Sequence, residues 1–163
     1  MIFVVLGTQK FQCNRLLKEI DRLVETGVIT ETVFAQKGNS DYVPKHYEFT
    51  DFLVKEKFEA YVKESSLMIT HSGVGTILSA VKNRKPVIVY PRLKKYKEHV
   101  DNHQLEIATD FSRKGLVLMC GEQDDLGEKI AESKTFSFGT YESEREKVID
   151  VIRDFIENDA KKQ

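Results

Sequence analysis

Short apolar runs rich in Val, Ile and Phe alternate along this chain with longer segments whose apolar residues recur at helical spacing, and few folds accommodate that rhythm. Ile2 to Leu6, Thr32 to Gln36, Leu67 to Thr70, Val87 to Tyr90 and Leu116 to Met119 read as strands. Between the first two, Leu16, Leu17, Ile20, Leu23 and Val24 form one helical stripe, closed by Gly27. A short extended segment over Tyr47 to Leu53 leads to a helix near Lys55 to Lys63. Ile77, Leu78 and Val81 mark the next helix, and Leu105, Ala108 and Phe111 one closed by Gly115. Asp124-Asp125 opens a short helix, and a broad stripe including Val148, Ile149, Ile152, Phe155 and Ile156 predicts a last helix from about 141 to 157. This alternation is the mark of βαβ units, so the expected class is α/β: a Rossmann-like parallel sheet flanked by helices. The nearly continuous apolar run Val87 to Tyr90 suits a strand buried on both faces and is the expected sheet centre.

At 163 residues the chain is expected to form one compact unit over 1–163. No stretch approaches the roughly 18 unbroken apolar residues of a membrane span. The opening apolar run has no basic n-region and stops at Gly7, which reads as a buried strand and predicts a cytoplasmic protein. Cys13 and Cys120 are far apart in sequence and read as buried thiols. A formal net charge of -1 argues against a global nucleic-acid footprint, and no nucleic-acid partner is expected. Arg92 to Lys97 is a local basic run of the kind that usually forms a solvated loop.

Chemistry is concentrated where Ile69-Thr70 runs into His71-Ser72-Gly73-Val74-Gly75-Thr76. In an open parallel sheet, ligands bind beyond the carboxyl ends of the strands. Two glycines there let backbone approach a ligand, and the following helix directs free N–H groups and partial positive charge at it. Thr76 adds a hydroxyl and His71 an imidazole, so the motif suits a metal-free clamp on a diphosphate. The plainer alternative is that these are packing glycines and that His71 caps the turn. The segment lacks the Gly-Lys-Ser/Thr ending of a nucleoside-triphosphate loop and the G-x-G-x-x-G spacing of a dinucleotide fingerprint.

Three segments, taken together, are more specific: Thr70 to Leu78; Lys85-Pro86-Val87-Ile88-Val89 with Pro91; and Glu98-His99-Val100-Asp101-Asn102-His103-Gln104-Leu105-Glu106. Their order and spacing resemble the C-terminal domain of family 28 glycosyltransferases, the donor half of the GT-B fold. Within that family they are most similar to free-standing catalytic subunits of bacterial exopolysaccharide and capsule transferases. Those subunits are relatives of the donor-binding subunit of the two-part UDP-GlcNAc transferase of dolichol-linked oligosaccharide synthesis. Val4-Val5-Leu6-Gly7-Thr8 is similar to the family's first strand and glycine turn.

The resemblance implies an inverting glycosyltransferase subunit that moves a hexose from a UDP-sugar to a lipid-linked saccharide acceptor, with no metal or other cofactor. It places the diphosphate on His71, Ser72, Gly73, Val74, Gly75 and Thr76, with Gly7 and Thr8 closing from the first loop. Phe52 and Leu53 would present backbone to uracil, and Asn102, His103 and Gln104 would read the sugar. Where many relatives carry a ribose-binding glutamate, this chain has Ser79. Alternatives stay open at several positions. Phe52 and Leu53 also suit core packing; Asn102 also suits an N-cap, with Gln104 toward solvent. Glu98, His99 and Asp101 either include a catalytic base, with Glu98 and His99 the candidates, or only order their loop.

A chain of this length holds only the donor half. The resemblance therefore implies a membrane-associated partner subunit carrying the acceptor half and recruiting the chain to the cytoplasmic face, with the helix at about 141–157 as a docking element. The competing expectations are a non-catalytic nucleotide-sugar-binding or regulatory subunit, and a UDP-sugar hydrolase or epimerase.

Overall fold

The computed structural model describes residues 1–141. The predicted helix at about 141–157, with its docking role, lies outside the described residues but for Tyr141. Among the described residues the order is β1 (Ile2–Val5), α1 (Asn14–Glu25), β2 (Val33–Gln36), β3 (Glu48–Thr50), α2 (Lys55–Glu64), β4 (Leu67–Thr70), α3 (Val74–Lys82), β5 (Val87–Val89), α4 (His103–Arg113), β6 (Leu118–Met119) and α5 (Leu126–Ser133). A single 3₁₀ turn, Lys94–Tyr96, lies between β5 and α4.

The six strands form one sheet in the order β3-β2-β1-β4-β5-β6, and every pairing is parallel. Side chains of a strand alternate between faces, and β1 shows the consequence. Ile2, Val4 and Leu6 join the core formed with α1 and α5, whereas Phe3 and Val5 join the core formed with α2, α3 and α4. Helices therefore cover both faces of the sheet. The centre is the β1–β4 pair, not β5 as the apolar run suggested. Burial on both faces is a property of every interior strand, so hydrophobicity alone does not rank β5 against β1 and β4.

The strand order reverses direction between β1 and β4, which opens a crevice beyond their carboxyl ends. Register brings the two loops together there: Val5 pairs with Thr70, and the Thr70 hydroxyl donates to the Val5 carbonyl at 2.7 Å. Gly7 leaves β1 and His71 leaves β4 side by side.

Candidate functional site

His71 follows directly on a buried strand, and its own ring is buried, 5% exposed. Its Nε2–Cε1 edge fills the gap between the two glycine turns. A Cβ built on Gly7 would come within 2.5 Å of Nε2, and one on Gly73 within 2.3 Å of Cε1. Gly7 is further constrained by a left-handed backbone, φ 70°. Gly75 differs, since a Cβ there meets nothing within 4 Å. Burial, followed by the positive charge of Arg92, lowers the His71 pKa to about 3, so the imidazole is neutral at physiological pH.

The N-terminus of α3 has no side-chain cap. Its first intrahelical bond is Ile77 N to Gly73 O at 3.0 Å, which leaves the amides of Val74, Gly75 and Thr76 without an intrahelical acceptor. The Ser72 hydroxyl is buried with no partner among the described residues. Free donors and the positive end of a helix thus converge on the crevice, an arrangement that suits an anion.

Beside this turn lies a cleft of about 390 Å³. Gly7, Thr8, Leu53, Gly75 and Thr76, all singled out by sequence, line it together with Val5, Gln36, Lys55 and Phe58. The Leu53 amide donates to the Gln36 side-chain oxygen at 3.1 Å. Phe52 is 48% exposed, which removes the core reading for its side chain, while Leu53 packs against the α2–α3 core. Ser79 is half-buried on α3.

The third segment is organised differently from expectation. Gln104 is buried, not turned to solvent: its Oε1 accepts from the Arg92 amide at 3.1 Å and its Nε2 faces His71 Nδ1 at 3.2 Å. Asn102 does not cap α4 with its side chain, because its Oδ1 accepts from the Lys94 amide. The adjacent Asp101 carboxylate takes the His103 amide instead. His103 itself is exposed and pairs with Glu106 at 3.1 Å. The carboxylate of Glu98 is committed to structure, accepting from Arg15 Nε and Nη2 at 3.2 and 3.0 Å and from the Leu93 amide at 3.1 Å. His99 packs on Phe11 with centroids 4.7 Å apart, and its Nδ1 lies 3.0 Å from the Asp101 carboxylate.

Arg92 corrects the solvated-loop expectation most sharply. It is 0% exposed, and Nη2 donates to the carbonyls of Leu6 and Phe11 at 2.7 and 2.9 Å. The guanidinium thereby ties down both ends of the loop that begins at Gly7, while Lys94, Lys95 and Lys97 remain exposed. Its neighbour Pro91 and the strand β5 were the available signals: Arg92 lies only three positions beyond the buried strand end at Val89.

Fold and site define a class: a Rossmann-like α/β domain with an uncapped helix N-terminus and a glycine turn at its switch point. The glycosyltransferase family 28 C-terminal domain matches residues 1–160, and the chain belongs to that family. The chain is similar to the "UDP-N-acetylglucosamine transferase subunit ALG13" of Yarrowia lipolytica, with 31% identity over 68% of this chain and 57% of that protein. The chain thus spans little more than half of that relative. Two solved structures share the fold. The glycosyltransferase of kitacinnamycin matches with TM-score 0.60, 13% identity and coverage of 82% of this chain and 34% of that one. The NMR structure of ALG13 matches with TM-score 0.56, 20% identity and coverage of 87% and 89%.

Proposed function

We propose that this chain is the UDP-sugar-binding part of an inverting glycosyltransferase. The observation that carries this reading is the placement of His71, between two glycine turns and beside the uncapped N-terminus of α3, at the sheet's switch point. In the transfer, the acceptor oxygen bonds to the anomeric carbon as the bond from that carbon to the diphosphate breaks. UDP leaves with the electron pair, and negative charge grows on the diphosphate oxygen. Donors already aimed at that charge stabilise the transition state more than the ground state. The amides of Val74, Gly75 and Thr76 and a neutral His71 are such donors.

The cleft beside the turn has the size and lining for the nucleoside, with uracil toward Leu53 and Gln36 and the diphosphate toward Gly75 and Thr76. The acceptor proton goes to His99, whose Nδ1 is held by Asp101 as a base requires, whereas Glu98 is engaged with Arg15. A hexose donor, a lipid-linked saccharide acceptor and a membrane-associated partner subunit complete the reading; the name of the Yarrowia relative, a transferase subunit, supports a partner. Among the described residues no helix is long and apolar enough to cross a membrane. Titration with UDP-GlcNAc, UDP-galactose and UDP-glucuronate tests the reading: it expects one sugar to bind more tightly than UDP alone, and equal weakness of all three would count against it.

A further inference from the structure

Gln104 does not have the surroundings of a residue that only reads a ligand. Both ends of its carboxamide are engaged inside the protein. The Arg92 backbone amide is a donor and nothing else, so the Gln104 atom facing it at 3.1 Å must be the oxygen. That fixes the orientation of the amide. The NH2 group is then the end that faces His71 Nδ1 at 3.2 Å, and an NH2 group only donates. Nδ1 must therefore accept, and in a neutral imidazole the proton then resides on Nε2. Nε2 belongs to the ring edge against Gly7 and Gly73, and it has no hydrogen-bond partner among the described residues.

We propose that Gln104 is a positioning residue, held by the Arg92 amide, that locks His71 in the tautomer presenting its proton from Nε2 toward the glycine turns, where an anionic oxygen can accept it. The chain of constraint runs from β5 through Arg92 and Gln104 to His71, and links the start of α4 to the end of β4. Without it, a neutral histidine in this place would be as free to present a lone pair to the anion, which repels. The value of the lock to a ligand rests on the donor-site reading above; the tautomer itself does not.

The test uses the full chain, labelled with ¹⁵N, and long-range proton–nitrogen correlation of the His71 ring without nucleotide. The expected result is a neutral ring protonated at Nε2; protonation at Nδ1, or an exchanging mixture, would overturn the proposal. Gln104→Leu should release the tautomer and weaken UDP by about tenfold, the size of one charge-assisted hydrogen bond. Gln104→Glu keeps an acceptor for the Arg92 amide but accepts from Nδ1 as well, so it remains informative if the leucine variant does not fold. In it the ring should carry a proton on Nδ1, and UDP affinity should fall as pH rises from 7 to 9, a window in which the phosphates stay ionised (second pKa about 6) and the unaltered chain should be flat. If both variants bind UDP normally and only UDP-sugars weakly, Gln104 reads the sugar and the positioning role is wrong. An Nε2-protonated ring in a chain that does not bind UDP would uphold the lock and reject the donor site.

Discussion

The imidazole of His71 occupies the space that a side chain on Gly73 would need: a Cβ there would lie 2.3 Å from Cε1 and 2.7 Å from Nε2. Gly73 has an ordinary negative φ, so its lack of a side chain serves this contact and not a turn conformation. Gly73→Ala should therefore push the ring off its seat. We expect UDP affinity to drop by roughly tenfold, with a stability loss of about 1–3 kcal/mol from overpacking, both read by calorimetric titration and chemical denaturation.

Gly75 gives the complementary case. It lies in the first turn of α3, faces open space and lines the cleft. Gly75→Ala should leave stability unchanged or raise it by up to about 1 kcal/mol, since glycine is the poorer helix former. Gly75→Glu should fold as well but abolish UDP binding, because it places a carboxylate where the anion belongs. Loss of folding in the glutamate variant would contradict the assignment of that space to a ligand.

Stability should depend on pH through His71. Its folded pKa of about 3 lies below the ordinary 6.5, so between these values the unfolded chain binds a proton that the folded chain does not. Stability is therefore lost as pH falls, by about 1.4 kcal/mol per unit below 6.5, or roughly 2 kcal/mol at pH 5. Buried Asp21, held below its ordinary pKa chiefly by hydrogen bonds from Tyr42 and from the amides of Lys45 and His46, and against the cost of burial, also loses stability, at lower pH as it takes up its proton. The diagnostic is the difference: His71→Asn should flatten the denaturation profile between pH 7.5 and 5.

Arg15 and Glu98 are bonded through two nitrogens and two oxygens, and the arginine also stacks on Tyr90 and Tyr96 at 4.3 and 4.8 Å. Replacing either by alanine should destabilise the chain, and the double variant should cost less than the sum by about 1–3 kcal/mol. Additive losses would show that the pair is not a unit, and would return Glu98 to consideration as a base.

The architecture was legible because periodicity reports it directly: the strands and the helices around Leu16, Ile77 and Ala108 follow from spacing, with strand boundaries displaced by up to two residues, or three where the segment Tyr47 to Leu53 narrows to β3 at Glu48–Thr50. What periodicity does not carry is strand order, which is why β5 rather than β1 and β4 was expected at the centre. The glycine turn was also legible as a turn, from glycines set between a strand end and a helix start, and Gly73 makes room for the His71 ring, as the packing alternative has it. Arg92 and Gln104 were not. Their roles depend on backbone amides and carbonyls from Leu6, Phe11 and Arg92 itself, partners that leave no trace in residue type. Gln36, Lys55 and Phe58 escaped for a related reason, because each belongs to an ordinary element and meets the site only when β2 and α2 are placed beside β1.

The most direct measurement is calorimetric titration of the full chain with UDP, repeated on His71→Ala. The account predicts saturable binding that the substitution weakens by tenfold or more, with the fold preserved. Saturable binding indifferent to His71, or no binding at millimolar UDP by a folded chain, would contradict it.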